Sequence, residues 1–225
     1  MRFMNEVKID KIIRSKRKTI ALIVSADAMV VVRAPFRTPL RYIEKLVFQK
    51  RFWVAKKKKQ ALRNGVPVKA KKFVDGEEFL YLGEKYKLKI ENCEDVKLAD
   101  YLYFPETYLS NGQTKMIEWY RQKALEKITE RVNLYNQISG WKFKSISITC
   151  ANKRWGSCSP NGMLNFSWRL IMAPIAAIDY VAVHELAHIP EKNHSSRFWN
   201  KVRAIFPDYK NQRKWLRENG SSLSI

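Results

Sequence analysis

Only three cysteines, Cys93, Cys150 and Cys158, occur in 225 residues, and no two form a C-x-x-C pair. That excludes a zinc ribbon or a disulfide framework, and an odd count fits a reducing compartment. No apolar run approaches the roughly 20 residues of a membrane-spanning helix. Residues 1–18 are basic and lack the apolar stretch of a secretory leader. A soluble, cytoplasmic chain with no membrane partner is therefore expected, its length fitting one domain with two lobes or two small domains. Acidic residues are also scarce, with 21 Asp and Glu against 43 Lys and Arg. No acidic cluster stands ready for the two-metal chemistry common in phosphodiester hydrolysis. No P-loop, zinc-finger or helix-turn-helix signature is present.

Histidine is rarer than any of these groups except cysteine, and all three copies lie within eleven residues: His184, His188 and His194. Imidazole is a preferred zinc ligand, and His184-Glu185-Leu186-Ala187-His188 is the His-Glu-x-x-His pattern of zinc proteases. Pro174 suits a helix start, and Ile175, Ile178, Val181, Ala182, Leu186 and Ala187 give that helix a broad apolar face. A spacing of four puts His184 and His188 on one side of it, about 40° apart and about 6 Å along the axis. Pro190 ends the helix near Ile189. Asn193 tolerates a reversal of the chain, bringing His194 back as third ligand, and Ser195 or Ser196 caps the next helix. One Zn2+ per chain on three neutral imidazoles, with water as fourth ligand, is the site this spacing predicts. Glu185, beside the ligands, is then the general base and acid that takes a proton from water and passes it to a leaving amine.

Two related arrangements fit less well. A metzincin carries Gly three residues after the second His and a later methionine turn, whereas this chain has Glu191 there and no Met beyond Met172. A third ligand from a later acidic residue leaves only Glu191, Asp208 and Glu218, and His194 is the better donor. Arg154, Asn165, Tyr180 and Tyr209 can donate to a developing oxyanion or else stabilise loops and cap strands. Cys158 reads as a small buried hydrophobe.

The remaining pattern predicts an α+β fold. Residues 20–24 and 29–32 read as a hairpin around Ser25-Ala26-Asp27-Ala28. A helix is expected from Pro39 to about Leu62, a second hairpin at 79–82 and 85–90, and a strand at 101–104. A long amphipathic helix from Gln113 to about Ile138 is expected to pack on the metal-bearing helix. Strands at 145–149 and 163–168 flank a turn at Pro160-Asn161-Gly162, and a last short helix covers 211–218. This gives a β-rich basic lobe with one helix at 1–110 and a mainly helical lobe with a small sheet at 111–225. One of the strands before the metal helix is expected to pair with a substrate backbone.

Arg154-Trp155-Gly156-Ser157-Cys158-Ser159, then Leu164-Asn165-Phe166-Ser167-Trp168-Arg169-Leu170, then Tyr180 to His188, then Asn193-His194-Ser195 and Phe198-Trp199, together resemble the YgjP-like metallopeptidase family, itself similar to the SprT-like and WLM zinc peptidases. The likeness is dense from Lys153 to Trp199. The N-terminal half fits in length and character without a sharp motif. The resemblance implies a zincin-like C-terminal lobe, His184, His188 and His194 as zinc ligands, Glu185 as catalytic residue and a peptide or protein substrate. Pro190 departs from the helix-friendly residue expected there.

The charge is uneven. Residues 1–75 hold 21 Lys and Arg against 5 Asp and Glu, a net +16, and the other 150 residues net only +6. Lys56-Lys57-Lys58-Lys59 is followed by Lys69, Lys71 and Lys72. Such asymmetry fits either a solubilising face or a polyanion partner such as nucleic acid. The alternative to a zinc peptidase is accordingly a nucleic-acid-associated protein, or a DNA-localised protease, working through its basic lobe. An intact Glu185 favours the enzyme, because a structural metal site needs no base.

Overall fold

The computed structural model describes residues 7–25, 27–63 and 70–225. Ala26 of the first predicted turn and Lys69 of the basic run lie outside these. The chain divides into two compact units, 1–69 and 70–225.

In the first unit, β1 (Lys11–Ser15), β2 (Ala21–Val24) and β3 (Val30–Pro35) form a sheet in the order β1-β3-β2. The expected hairpin is β2–β3, while β1 pairs parallel to β3. Arg14 Nη1 donates to the carbonyls of Pro35, Phe36 and Thr38 at 3.2, 3.0 and 2.6 Å, holding the turn out of β3. The expected single helix is two, α1 (Leu40–Gln49) and α2 (Arg51–Arg63), broken at Lys50. Val32, Ala34, Ile43 and Val47 form the small aliphatic core.

The second unit contains β4 (Glu78–Tyr81), β5 (Glu84–Glu91), β6 (Lys97–Leu98) and β7 (Leu102–Pro105) in a sheet ordered β4-β5-β7-β6. The predicted change of lobe at 110 differs from the observed division. Phe73, Phe79, Leu88, Leu102 and Phe104 share one buried core with the later helices. Long α3 (Gly112–Ser139) buries Met116, Tyr120, Ala124, Ile128 and Val132, a spacing close to one stripe of a 3.6-residue helix. Gly140, at φ 70°, ends it in a left-handed cap.

After α3 come β8 (Ser145–Thr149), β9 (Gly156–Cys158) and β10 (Met163–Ser167), ordered β8-β10-β9. β8 runs parallel to β10, and the short edge strand β9, absent from the sequence reading, pairs antiparallel with it. Then follow α4 (Ile175–Ala187), α5 (Ser196–Ile205) and α6 (Tyr209–Asn219). Among the described residues the architecture is thus α+β with six helices and three small sheets. No helix among the described residues is long and apolar enough to cross a membrane.

Two contacts fix α4, the carrier of the His-Glu-x-x-His run. Leu82 and Gly83, both at positive φ in the β4–β5 turn, donate their backbone N–H groups to the carbonyls of Ile171 and Met172. Pro174, the cap of α4, lies so close that a Cβ on Gly83 would meet it at 2.9 Å. From the other side, Arg131 of α3 donates two hydrogen bonds to buried Asp179 of α4, Nε–Oδ1 at 2.6 Å and Nη2–Oδ2 at 2.9 Å. The paired geometry makes this a directional clamp between the two helices.

Candidate active site

His184 lies on the last turn of α4, and His188 is its C-cap. The helix stops at Ala187, two residues before the expected end at Ile189, with backbone bonds from His188, Ile189 and Glu191 closing the turn. His194 stands just before α5, whose cap is Ser195; its Oγ accepts from Phe198 N at 3.4 Å. One nitrogen from each imidazole can be chosen so that all lie within 4.8 Å of one another. Nε2 of His184 and Nε2 of His194 are 3.0 Å apart. Two nitrogens bound to one tetrahedral zinc ion stand about 3.3 Å apart, close to the His184–His194 separation.

The protonation states also fit. Burial, reinforced by the neighbouring His188 and His194, pushes the His184 pKa down to about 3, so its ring is neutral near pH 7. Burial also lowers the His188 pKa. His188 Nδ1 is 3.1 Å from the Glu191 carbonyl oxygen. A carbonyl only accepts, so Nδ1 carries the proton and Nε2 keeps a free lone pair. Neutral imidazoles are the form in which histidine binds metal. Phe198, fully buried, forms the floor, its ring centre 4.9, 4.5 and 4.8 Å from those of His184, His188 and His194. Trp199 stacks on His194 at 5.6 Å, and Tyr209 stacks on Trp199 at 5.4 Å.

Glu185 is only 5% exposed. Burial raises its pKa to about 8, and the positive charge of Arg154 pulls the other way. A cation bound beside it would lower that value further. The carboxylate lies under β9: a Cβ on Gly156 would sit 2.6 Å from both Cγ and Oε1 of Glu185. The edge of the small sheet therefore passes directly over this carboxylate. Burial also raises the thiol pKa of Cys158, at the other end of β9.

The four possible oxyanion donors are scattered. Tyr180 is buried one turn before His184, ring centres 5.7 Å apart, and burial pushes its pKa up to about 12, so its hydroxyl stays protonated. Arg154 is exposed next to β9 and lines a cavity of about 410 Å3 with Lys153, Trp155 and Arg169. Asn165 is in the middle of β10, paired with Ser157 of β9 and Ser147 of β8. Tyr209 reaches the imidazoles through Trp199. One nearby charge went unread in the sequence: Arg213 of α6 acts electrostatically on both His184 and Tyr180 and lies 4.9 Å over the Trp199 ring. Its position four residues after Tyr209, on the same helix face, is the only local signal for it.

The family described as YgjP-like, metallopeptidase domain matches residues 18–219. Two solved structures show a partial likeness. One is the metallopeptidase zymogen of Pyrococcus abyssi abylysin, 22% identical over 41% of this chain and 97% of its own, with a TM-score of 0.37. The other is the metallopeptidase zymogen of Methanocaldococcus jannaschii jannalysin, 21% identical over 40% of this chain and 92% of its own, with a TM-score of 0.36. No curated protein matches the chain. With about nine-tenths of its length inside the family match, the chain belongs to the YgjP-like metallopeptidase family.

Proposed function

We propose that this protein hydrolyses peptide bonds with a single zinc ion held by His184, His188 and His194, and with Glu185 as general base. The observation that carries the reading is the imidazole cluster, with three ring nitrogens within 4.8 Å and a buried carboxylate on the adjacent residue. Bound there, zinc would supply Lewis acidity that makes water nucleophilic near neutral pH.

The chain's own residues do the rest. Glu185 accepts the proton of the attacking water on its carboxylate and delivers it to the departing amine nitrogen. Its burial favours taking up that proton, and Arg154 favours giving it back. Strand β9 is the sheet edge beside α4, so its free N–H and C=O groups hold an extended substrate backbone across Glu185. Tyr180 and Arg213 flank His184 and are better oxyanion donors than Asn165 or Tyr209. Phe198 and Trp199 keep water from the far side of the imidazoles and fix their ring planes.

The test combines metal analysis with turnover. Protein purified without metal-affinity resin is expected to hold about one zinc per chain, and His194→Ala markedly less. Glu185→Gln is expected to keep the zinc and lose cleavage of an unfolded protein substrate. A wild type that takes up no zinc, or a Glu185→Gln variant that cleaves at the wild-type rate, overturns the reading.

A further inference from the structure

Aromatic side chains are normally the largest contributors to a core. In the second unit they behave so: of 22 aromatic residues in 70–225, Tyr101 alone is exposed. The first unit reverses the pattern. All five of its described aromatic residues, Phe36, Tyr42, Phe48, Phe52 and Trp53, are exposed, Phe52 at 73% and Phe36 at 60%. Its core is made of small aliphatic side chains instead.

These rings lie among cations. Residues 1–69 carry 19 Lys and Arg against 4 Asp and Glu, a net +15. Arg51 lies between two of the rings, its guanidinium 4.4 Å from the Phe48 centre and 4.6 Å from the Phe52 centre. Tyr42 stands between the exposed Arg41 and Lys45. Trp53 is followed one turn later by the exposed Lys56 and Lys57. Phe36 is on the turn that Arg14 holds by its carbonyls. Leaving this many rings in water costs stability, which a partner that covers them restores.

We propose that the α1–α2 surface of the first unit binds single-stranded nucleic acid. Net positive charge calls for a polyanion, and flat exposed rings call for one whose repeating units are themselves flat. Unpaired bases stack on Phe, Tyr, Trp and arginine planes, while lysines neutralise the phosphates. A duplex hides its base faces and would need only the cations. A membrane surface would favour a helix with rings on one side and lysines on the other. Here Arg51, Phe52 and Trp53 are consecutive, and rings and cations share the exposed surface. The proposal is independent of the metal site.

The full-length chain can be titrated into a fluorescein-labelled 20-mer of thymidylate, the corresponding 20-base-pair duplex, and vesicles containing phosphatidylserine. The thymidylate strand is expected to bind more tightly than the duplex, and both more tightly than vesicles. Phe52→Ala and Trp53→Ala are each expected to weaken thymidylate binding about tenfold and leave the duplex unaffected. Phe36→Ala, on a separate loop, is a further ring variant, and circular dichroism checks that all three remain folded. Lys56→Gln, Lys57→Gln and Lys59→Gln together are expected to flatten the salt dependence of log Kd for the strand by about 2. Equal affinity for strand and duplex overturns the proposal, as does unchanged strand binding in the folded ring variants. So does binding to vesicles without binding to thymidylate.

Discussion

Replacing Gly156 with alanine adds a single methyl group, and the structure puts it 2.6 Å from Cγ and from Oε1 of Glu185 and 2.8 Å from Cδ. Carbon atoms rest at about 3.5–4.0 Å, so the two groups must separate by roughly 1 Å. Strand β9 resists moving because Gly156, Ser157 and Cys158 pair with Phe166, Asn165 and Leu164 of β10. The Glu185 carboxylate therefore gives way. The backbone at Gly156 is not left-handed, so alanine meets no conformational strain there and slightly stiffens the unfolded chain. The imidazoles of His184, His188 and His194 are untouched. A misplacement of about 1 Å at a reacting group costs about 100-fold in rate, or about 2.7 kcal/mol of barrier. Gly156→Ala is thus expected to lower kcat about 100-fold while metal content, thermal stability and KM stay near wild type. Steady-state kinetics on a quenched fluorescent peptide, with zinc analysis of the same preparation, measures all but the melting temperature. A wild-type kcat together with a wild-type KM refutes the assignment of Glu185 as base. A raised KM with unchanged kcat shows that the strand moved and that the glycine serves substrate docking instead.

Two further outcomes follow from the contacts around α4. Asp179→Ala leaves Arg131 without its paired acceptor at a largely buried interface and is expected to cost about 3 kcal/mol. For a chain of this size that lowers Tm by about 6–12 °C, and a melt within 2 °C of wild type would show that the clamp contributes little. Phe198→Ala removes the ring beneath all three imidazoles. It is expected to destabilise by about 3–5 kcal/mol and to weaken zinc binding 10- to 100-fold in a chelator competition run below the melting temperature; undiminished zinc affinity would remove Phe198 from the account of the site.

What could be read ahead of the structure was local. The spacing of His184 and His188, a helix end shortly before Pro190, a cap at Ser195 or Ser196 and the stripe along α3 each depend on residues within a few turns of one another. The elements that escaped notice depend on distant partners. Lys11–Ser15 is a strand because β3 receives it, and Gly156–Cys158 has no apolar alternation to announce it. Residues 70–110 join the helical unit because Phe73, Phe79 and Phe104 find their core there. Arg131 and Asp179 are 48 residues apart, and Arg213 approaches His184 from another helix. The break at Lys50 has no proline or glycine to mark it, and the buried positions Ile43, Val47 and Val54 run across it without a change of period.

The edge strand over Glu185 carries a hazard as well as a use. A row of unpaired backbone groups that accepts a peptide accepts equally well the edge of another copy of this chain, and long open edges are where proteins aggregate. Strand β9 is three residues long and contains a glycine. So short an edge offers a visiting strand only a few hydrogen bonds, which suits the brief peptide docking proposed above and is too few to seed a polymer. Lengthening β9 to tighten substrate binding would therefore be expected to cost solubility before it improved catalysis.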